Sequence, residues 1–174
     1  YVFKSLSVMT GFFYYLNSQF YAMWLKIFGF LLLNFGALAL GGIFAGSGAG
    51  SDWYAELNKA PWTPPGWVFG FAWTTIMICF SVYMACLYQR KTEKRNILGL
   101  YFIQWVLNVA WNPVFFYFHK ASLGLVVIVC LTLLVAYFLF NFRRDLKAYS
   151  LLILPYFIWL CIATSLNAYI SMMN

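Results

Sequence analysis

Five long apolar runs constrain the fold of this chain more than any other feature. They cover about residues 26–46, 66–89, 96–118, 121–142 and 149–173. Each run is long enough to cross roughly 30 Å of hydrocarbon as a helix. A bilayer offers no water to an unpaired backbone, so a span of this length has to be helical or part of a closed barrel. The sequence therefore predicts an all-α integral membrane protein with five transmembrane helices packed as one bundle.

The balance of charged and apolar residues supports the same class. Only 9% of the residues are charged and 64% are hydrophobic, whereas about a quarter of a soluble protein is charged. The formal net charge is +7, but the basic residues flank the apolar runs and form no stripe of the kind that binds nucleic acid. Membrane lipid is the expected surrounding, and nucleic acid is not an expected partner.

The distribution of Lys and Arg predicts the orientation of the bundle. With five spans, nine of the eleven basic residues fall on the side of the N-terminus, and only Lys59 and Lys120 fall on the other side. Basic residues accumulate in cytoplasmic loops. We therefore expect a cytoplasmic N-terminus, with the loop after the first span and the C-terminus outside.

Residues 1–25 differ from the rest of the chain. They are aromatic and contain scattered Ser, Asn and Gln, without the continuous apolar core of a secretory signal. We interpret them as an N-terminal extension or an interfacial segment, and residues 26–174 as a single domain.

The stretch at residues 53–73 is unusual for a connection between membrane helices. It contains four of the eight tryptophans and three of the five prolines of the chain. Long loops of this composition tend to be lids, plugs or binding elements. We expect it to cap a ligand cavity within the bundle.

Three amides follow one face of the third span. Gln104, Asn108 and Asn112 recur every four residues, so they lie on one side of a helix, and lipid cannot satisfy them. Hydrogen bonding between helices is the simpler interpretation. The pattern leaves one alternative open, in which the amides form hydrogen bonds with a ligand in an otherwise apolar cavity.

Aromatic stripes on the second and fifth spans point to a flat ligand. Phe69, Trp73 and Met77 recur every four residues, as do Pro155, Trp159 and Ala163. Either stripe alone favours helix packing. Together they place two indoles beneath an aromatic loop, where a flat conjugated molecule would stack well.

Other chemistry is poorly supported. The four cysteines lie within apolar runs at spacings that suit neither a metal nor a disulfide, and we interpret them as small buried hydrophobic residues. His119 is the single histidine, and an ordinary interfacial role is favoured over ligation of a haem iron. Gly42 and Gly46 form a G-x-x-x-G pair, for which packing within the bundle is favoured over a dimer contact. We expect no metal site and no hydrolytic site.

Three motifs resemble those of a known family. They are W-Y-x-x-L-x-K-x-x-W-T-P-P-G-W-x-F-G-x-x-W at residues 53–73, Q-x-x-L-N-x-x-W-N-P-x-F-F at 104–116, and P-Y-x-x-W-x-x-x-A-x-x-L-N at 155–167. In this order and on these spans they are similar to the translocator proteins, which are also called tryptophan-rich sensory proteins or peripheral-type benzodiazepine receptors. The resemblance covers about residues 26–174.

The resemblance implies a five-helix bundle, often a homodimer, whose cavity is capped by the loop after the first helix. It implies no required cofactor, and protoporphyrin IX or another flat hydrophobic molecule as ligand. The matching pocket residues lie on the lid and three helices. They are Trp53, Tyr54 and Pro64 of the lid, Phe69, Trp73 and Met77 of the second span, Asn112 and Phe115 of the third, and Trp159, Ala163 and Leu166 of the fifth.

The resemblance leaves three functions to distinguish. A receptor or carrier for porphyrins is the leading one. Light-dependent degradation of protoporphyrin IX is an alternative, and Trp73 and Trp159 would then be the candidate catalytic residues. A secondary transporter is a weaker alternative, because the sequence shows neither an inverted repeat nor an embedded ion site.

One departure from the family pattern bears on sterol binding and on the source of the protein. Tyr169 is followed by no Lys or Arg, so the sterol element of the family is incomplete. We therefore expect a prokaryotic member in a bacterial cell membrane.

Overall fold

The computed structural model describes the backbone of residues 2–174 and the side chains of residues 17–174. The described part of the chain is helical and contains no strand. Its helices are α1 (Val2–Ala45), α2 (Asp52–Glu56), α3 (Gly66–Arg90), α4 (Lys94–Asn112), α5 (Ala121–Asn141), α6 (Arg143–Leu146) and α7 (Leu154–Met173). Among the residues described, five helical segments are long and apolar enough to cross a membrane. The all-α fold with five membrane-spanning helices is therefore confirmed.

The first helix is longer than the span expected at residues 26–46. In the structure α1 begins at Val2 and ends at Ala45. The part of it that could cross a membrane begins at Asn17, where the described side chains also begin. The interpretation of residues 1–25 as an extension or interfacial segment stays a prediction, because residues 1–16 lie outside the described side chains.

Pro113 ends the α-helix within the third span. Proline has no amide proton to give to a helical hydrogen bond. The α-helix ends at Asn112, and the chain continues as a π-helical turn over Pro113–Tyr117, which is closed by the Phe118 amide donating to the Pro113 carbonyl at 2.9 Å. The wider turn swings Phe115 and Phe116 toward the loop that follows α1.

The last span, predicted to begin at about residue 149, would place Pro155 in its second turn, but α7 begins later in the structure. Residues Lys147–Ile153 form a 3-10 helix, and α7 begins at Leu154, so Pro155 lies in the first turn. An amide in the first turn has no partner within the helix, and the missing proton of proline therefore costs nothing there.

One half of the bundle is solidly packed. Helix α3 contacts α1, α7 and the Lys147–Ile153 segment. Tyr83 is fully buried and donates a hydrogen bond to the carbonyl of Phe138 at 2.7 Å. We call the interior formed by residues 80–87, 135–146 and 153–156 the packed half. Its largest fully buried side chains are Phe80, Tyr83, Met84, Leu87, Phe138, Leu146, Ile153 and Tyr156.

Buried polar groups join α1, α3 and α4 beside the packed half. Asn34 donates to Ser81 Oγ at 2.8 Å and accepts from the Tyr101 hydroxyl at 2.7 Å. These side chains are almost completely buried. An amide in lipid would lack partners, so the hydrogen bonds of Asn34 fix the face that α1 turns toward the bundle.

Two expectations about small residues need correction. A Cβ on Gly41 would lie 2.6 Å from Asn112 Nδ2, whereas nothing lies within 4 Å of the same position on Gly42 or Gly46. The close approach of α1 to α4 is therefore at Gly41 and not at the G-x-x-x-G pair.

Only one of the four cysteines behaves as a buried small residue. Cys86 is buried and Cys79 is partly buried, but Cys130 and Cys161 are exposed on the outside of the bundle. Apolar runs in a membrane helix supply both its inner and its lipid-facing surface, so membership of such a run does not imply burial.

Candidate functional site

The loop after α1 folds back over the end of the bundle. Gly46 and Gly48 have φ of 58° and 52°, a left-handed conformation that glycine adopts without a steric penalty. Ser51 then caps α2 by accepting a hydrogen bond from the Tyr54 amide at 3.2 Å. We call residues 46–65 the lid.

Aromatic contacts seat the lid on the π-helical turn of the third span. Trp53 stacks on His119 with 4.2 Å between ring centroids and meets Phe115 edge-on at 5.6 Å. Tyr54 meets Phe115 at 6.3 Å and Phe116 at 5.6 Å. The turn that Pro113 imposes on α4 therefore supplies the surface on which the lid rests.

Hydrogen bonds tie the far end of the lid to α7. The Asn58 backbone N–H donates to Asn174 Oδ1 at 2.9 Å, and Asn174 Nδ2 donates back to the Asn58 backbone carbonyl at 3.3 Å. The Asn58 side-chain amide also donates to the Met173 carbonyl at 3.3 Å. The Trp62 indole donates to Ser165 Oγ at 3.2 Å and packs edge-on against Tyr169. We call these Asn58 and Trp62 contacts the latch.

A cavity of about 530 Å³ lies beneath the lid. Its walls come from α1, α3, α4, α5 and α7 and are mostly apolar and aromatic. We call this part of the molecule, together with the lid, the lid half. The lining residues that carry the following argument are Tyr54, Lys59, Pro64, Phe69, Trp73, Asn108, Trp111, Asn112, Phe115, Trp159, Ala163, Leu166 and Asn167.

Nine of the eleven expected pocket residues line this cavity. They are Tyr54, Pro64, Phe69, Trp73, Asn112, Phe115, Trp159, Ala163 and Leu166. Met77 lies outside the lining and is buried in the core, where it accepts a hydrogen bond from Ser81 through its carbonyl. Trp53 also lies outside the lining and borders a second cavity of about 510 Å³ with His119 and Lys120.

The two indoles named as candidate catalytic residues are both on the cavity wall. Trp159 meets Phe69 edge-on at 5.2 Å, and Trp73 meets Tyr156 edge-on at 6.1 Å. These contacts fix both indoles between α3 and α7. The pair that the sequence places on separate stripes therefore faces one common space.

The three amides of α4 divide between the two roles that the sequence leaves open. Gln104 donates to the Tyr156 hydroxyl at 2.8 Å, and that hydroxyl donates to Asn108 Oδ1 at 3.4 Å. These amides join helices at the boundary between the two halves. Asn108 and Asn112 both line the cavity, but Asn108 already accepts a hydrogen bond from Tyr156, so Asn112 is the amide best placed to orient a ligand.

Two lining residues that the sequence analysis did not select carry unpaired polar atoms. Trp111 Nε1 and Asn167 Oδ1 are buried and have no hydrogen-bond partner among the described residues. Buried polar groups are usually paired. Trp111 belongs to the motif at residues 104–116 and Asn167 to the motif at residues 155–167, but spacing alone could not show that their hydrogen-bond partners are missing.

Lys59 was also missed as a lining residue. Its ammonium group lies 4.8 Å from the centroid of the Tyr54 ring. Burial raises the pKa of the Tyr54 hydroxyl, further above the physiological pH at which a phenol is already neutral. The cavity therefore has one cationic corner, at the lid.

Metal chemistry has no support in the described residues. Within residues 17–174 no three His, Cys, Asp or Glu side chains are grouped so that they could hold a metal ion. His119 lies against Trp53 and outside the cavity lining. The site is suited to stacking and to hydrogen bonding.

Comparison with known proteins identifies the family. The model of the TspO/MBR family matches residues 27–173. Protein CrtK of Rhodobacter capsulatus is 34% identical over 125 residues, which cover 70% of this chain and 78% of the relative. The tryptophan-rich sensory protein of Cereibacter sphaeroides is 35% identical over 67% of this chain and 73% of its own length. The human translocator protein is 34% identical over 83% of this chain and 87% of its own length. With five apolar helices and these relatives, the chain is a multi-pass membrane protein and belongs to the TspO/MBR family.

Proposed function

We propose that this protein is a membrane receptor or carrier that binds porphyrins, such as protoporphyrin IX, and other flat hydrophobic molecules in the lidded cavity. The observation that carries the proposal is the pair Trp73 and Trp159 on the wall of a 530 Å³ cavity. Ligand sites are typically apolar concavities of about 300–1,000 Å³ with few polar groups. A role in tetrapyrrole sensing, regulation or transport follows from such binding.

Stacking on the two indoles is the proposed source of affinity. A conjugated macrocycle buries a large apolar area against aromatic rings, and offset or edge contacts add to that burial. Asn112 supplies an amide at the lid end of the same cavity. The ligand would therefore have its apolar body near Trp73 and Trp159 and a polar edge toward the lid.

The proposed orientation in the membrane follows from the loop charges. The lid end carries Lys59 and Lys120, and the opposite loops carry the larger basic cluster. By the positive-inside rule the lid faces outside and the N-terminus lies in the cytoplasm. A bacterial cell membrane and a homodimeric assembly are the accompanying proposals.

Substitution of the two indoles tests the binding site. Trp73→Ala and Trp159→Ala should each weaken protoporphyrin IX binding by about tenfold, because each removes one stacking face. Affinity is measured by titration of the detergent-purified protein in the dark.

Trp67→Ala is the matched control, since Trp67 is 72% exposed and lies outside the cavity lining. It should leave the affinity unchanged. Unchanged affinity in both Trp73→Ala and Trp159→Ala would contradict the proposed site.

Light-dependent degradation of protoporphyrin IX is a second candidate function. The observation in its favour is that both oxidisable indoles line the cavity and that Trp73 contacts the ring of Tyr156. The macrocycle would act as photosensitiser, dioxygen as oxidant and an indole as electron donor, while the protein supplies position and shielding. Illumination should then bleach the porphyrin faster with the native protein than with the Trp73→Phe, Trp159→Phe double variant. Equal bleaching rates would exclude this function.

A further inference from the structure

The cavity contains a single charged side chain. Of the described residues that line it, only Lys59 is ionised at neutral pH, and the others are apolar, aromatic or neutral polar. A cation at the edge of an apolar space is costly unless a partner compensates it. The groups around Lys59 therefore indicate which chemical class of ligand the cavity binds.

Lys59 has no acidic partner among the residues whose side chains the structure describes. The ion pair found in residues 17–174 joins Lys91 to Asp145 at 2.8 Å, at the opposite end of the bundle. Asp52 and Glu56 share the lid with Lys59 but are exposed and form no ion pair with it. The Tyr54 ring offers only its quadrupole, which attracts a cation weakly at a partly exposed site.

The lid holds Lys59 in place on both sides. The preceding residue, Asn58, is fixed to α7 by the latch. The following residue, Ala60, is buried and accepts a hydrogen bond from the Thr63 hydroxyl at 2.7 Å. The backbone on both sides of Lys59 is thus constrained, so less conformational freedom of the lid is lost when the ammonium group binds an anion.

We propose that the cavity selects flat apolar ligands that carry a carboxylate, and that Lys59 binds this carboxylate at the lid. The inference rests on the proposed function and names the chemical class that the same site prefers. A charge-assisted hydrogen bond is stronger than a neutral one and fixes the direction of the ligand. The acidic edge lies at the lid and the apolar ring lies between Trp73 and Trp159.

Protoporphyrin IX and its dimethyl ester make a matched pair of probes. They share the macrocycle and differ in the charge of the two side-chain acids. Each is titrated in the dark against the native protein and against Lys59→Gln, Lys59→Arg and Lys120→Gln. The change in dissociation constant from native protein to variant is taken for each ligand separately, so the different partition of acid and ester into detergent cancels. The ratio of the change for the acid to the change for the ester then measures the charge contact.

Lys59→Gln should weaken binding of the acid about tenfold and of the ester less than twofold. Lys59→Arg should restore most of the acid affinity, since it keeps the charge. Lys120→Gln should leave the affinity for both ligands unchanged, because Lys120 borders the other cavity.

Three results would overturn the inference. Equal weakening of acid and ester by Lys59→Gln would make Lys59 a structural residue. An effect of Lys120→Gln on the acid as large as that of Lys59→Gln would make the attraction non-specific. If the native protein binds neither probe, the proposed function fails and the selection that rests on it fails too, whereas unselective binding of both probes leaves the function standing.

Discussion

The packed half and the lid half are built from the same helices, but their interiors differ. In the packed half Phe80, Tyr83 and Phe138 are completely buried in mutual ring contacts. In the lid half the walls from α1, α3, α4, α5 and α7 surround a cavity of about 530 Å³. The Gln104, Tyr156 and Asn108 hydrogen bonds mark the boundary between the two.

Polar groups follow the same division. Beside the packed half, Asn34 is bonded to Ser81 and Tyr101. In the lid half, Trp111 Nε1 and Asn167 Oδ1 lack partners within the described residues, as does Gln104 Oε1 at the boundary, and no described carboxylate pairs with Lys59. A dense interior with satisfied polar groups supports stability. A cavity with unmatched polar groups suits ligand binding, so stability and binding are separable along these helices.

The largest expected difference comes from removing a phenylalanine from each half. Phe80→Ala should lower the free energy of unfolding by about 3–5 kcal/mol, because it leaves a hole in a close-packed core. Phe69→Ala should lower it by only about 1 kcal/mol, since Phe69 already borders a cavity. Denaturant titration in detergent measures both values. Equal losses would mean that the two halves are packed alike.

Adding an aromatic ring should also lower the free energy of unfolding more in the packed half than in the lid half. Ala85 is completely buried in the packed half, and Ala85→Phe should lower the free energy of unfolding by about 1–3 kcal/mol through overpacking. Ala163 lines the cavity, so Ala163→Phe should change stability by less than about 0.5 kcal/mol. A large loss of stability in Ala163→Phe would show that the cavity cannot accept a ring.

A change in stability as small as that of Ala163→Phe is expected for the latch. Asn58→Ala removes a side chain at the lid that donates to the Met173 carbonyl at 3.3 Å, and should cost about 0.5 kcal/mol or less. A lid with a weaker latch should open more often, so dissociation of bound porphyrin should be about threefold faster.

The control for the latch is Asn96→Ala, at the opposite end of the bundle. Asn96 donates to Glu93 at 2.8 Å in an exposed pair and should leave dissociation unchanged. Stopped-flow displacement measures both rates. Equal rates in native protein and Asn58→Ala would separate the latch from ligand release.

The fold could be predicted almost completely from the sequence. The length of the apolar runs gives the five spans, and Pro113 gives the interruption of the third. The start of α7 could not be predicted, because residues 147–153 form a 3-10 helix that buries Ser150 and Ile153 against the core. That choice depends on tertiary packing and has no local signal.

The helix faces that line the candidate site could be predicted from the sequence, but the point along each helix where the cavity ends could not. Phe69, Trp73 and Met77 follow one stripe of α3, yet the cavity ends before Met77 because the stripe runs on into the core. Periodicity gives the side of a helix and not the point along it where a space closes. Lys59 is visible in the sequence, but its lack of a carboxylate partner is a fact of tertiary structure.

The most direct test of the account is the dissociation constant of protoporphyrin IX for the native protein and for Ala163→Phe, measured in the dark by tryptophan quenching. The cavity is the proposed binding site, so saturable binding is expected for the native protein and loss of binding for Ala163→Phe, with helix content unchanged by circular dichroism. Equal affinity in the two proteins would place the ligand outside the lidded cavity and contradict the account.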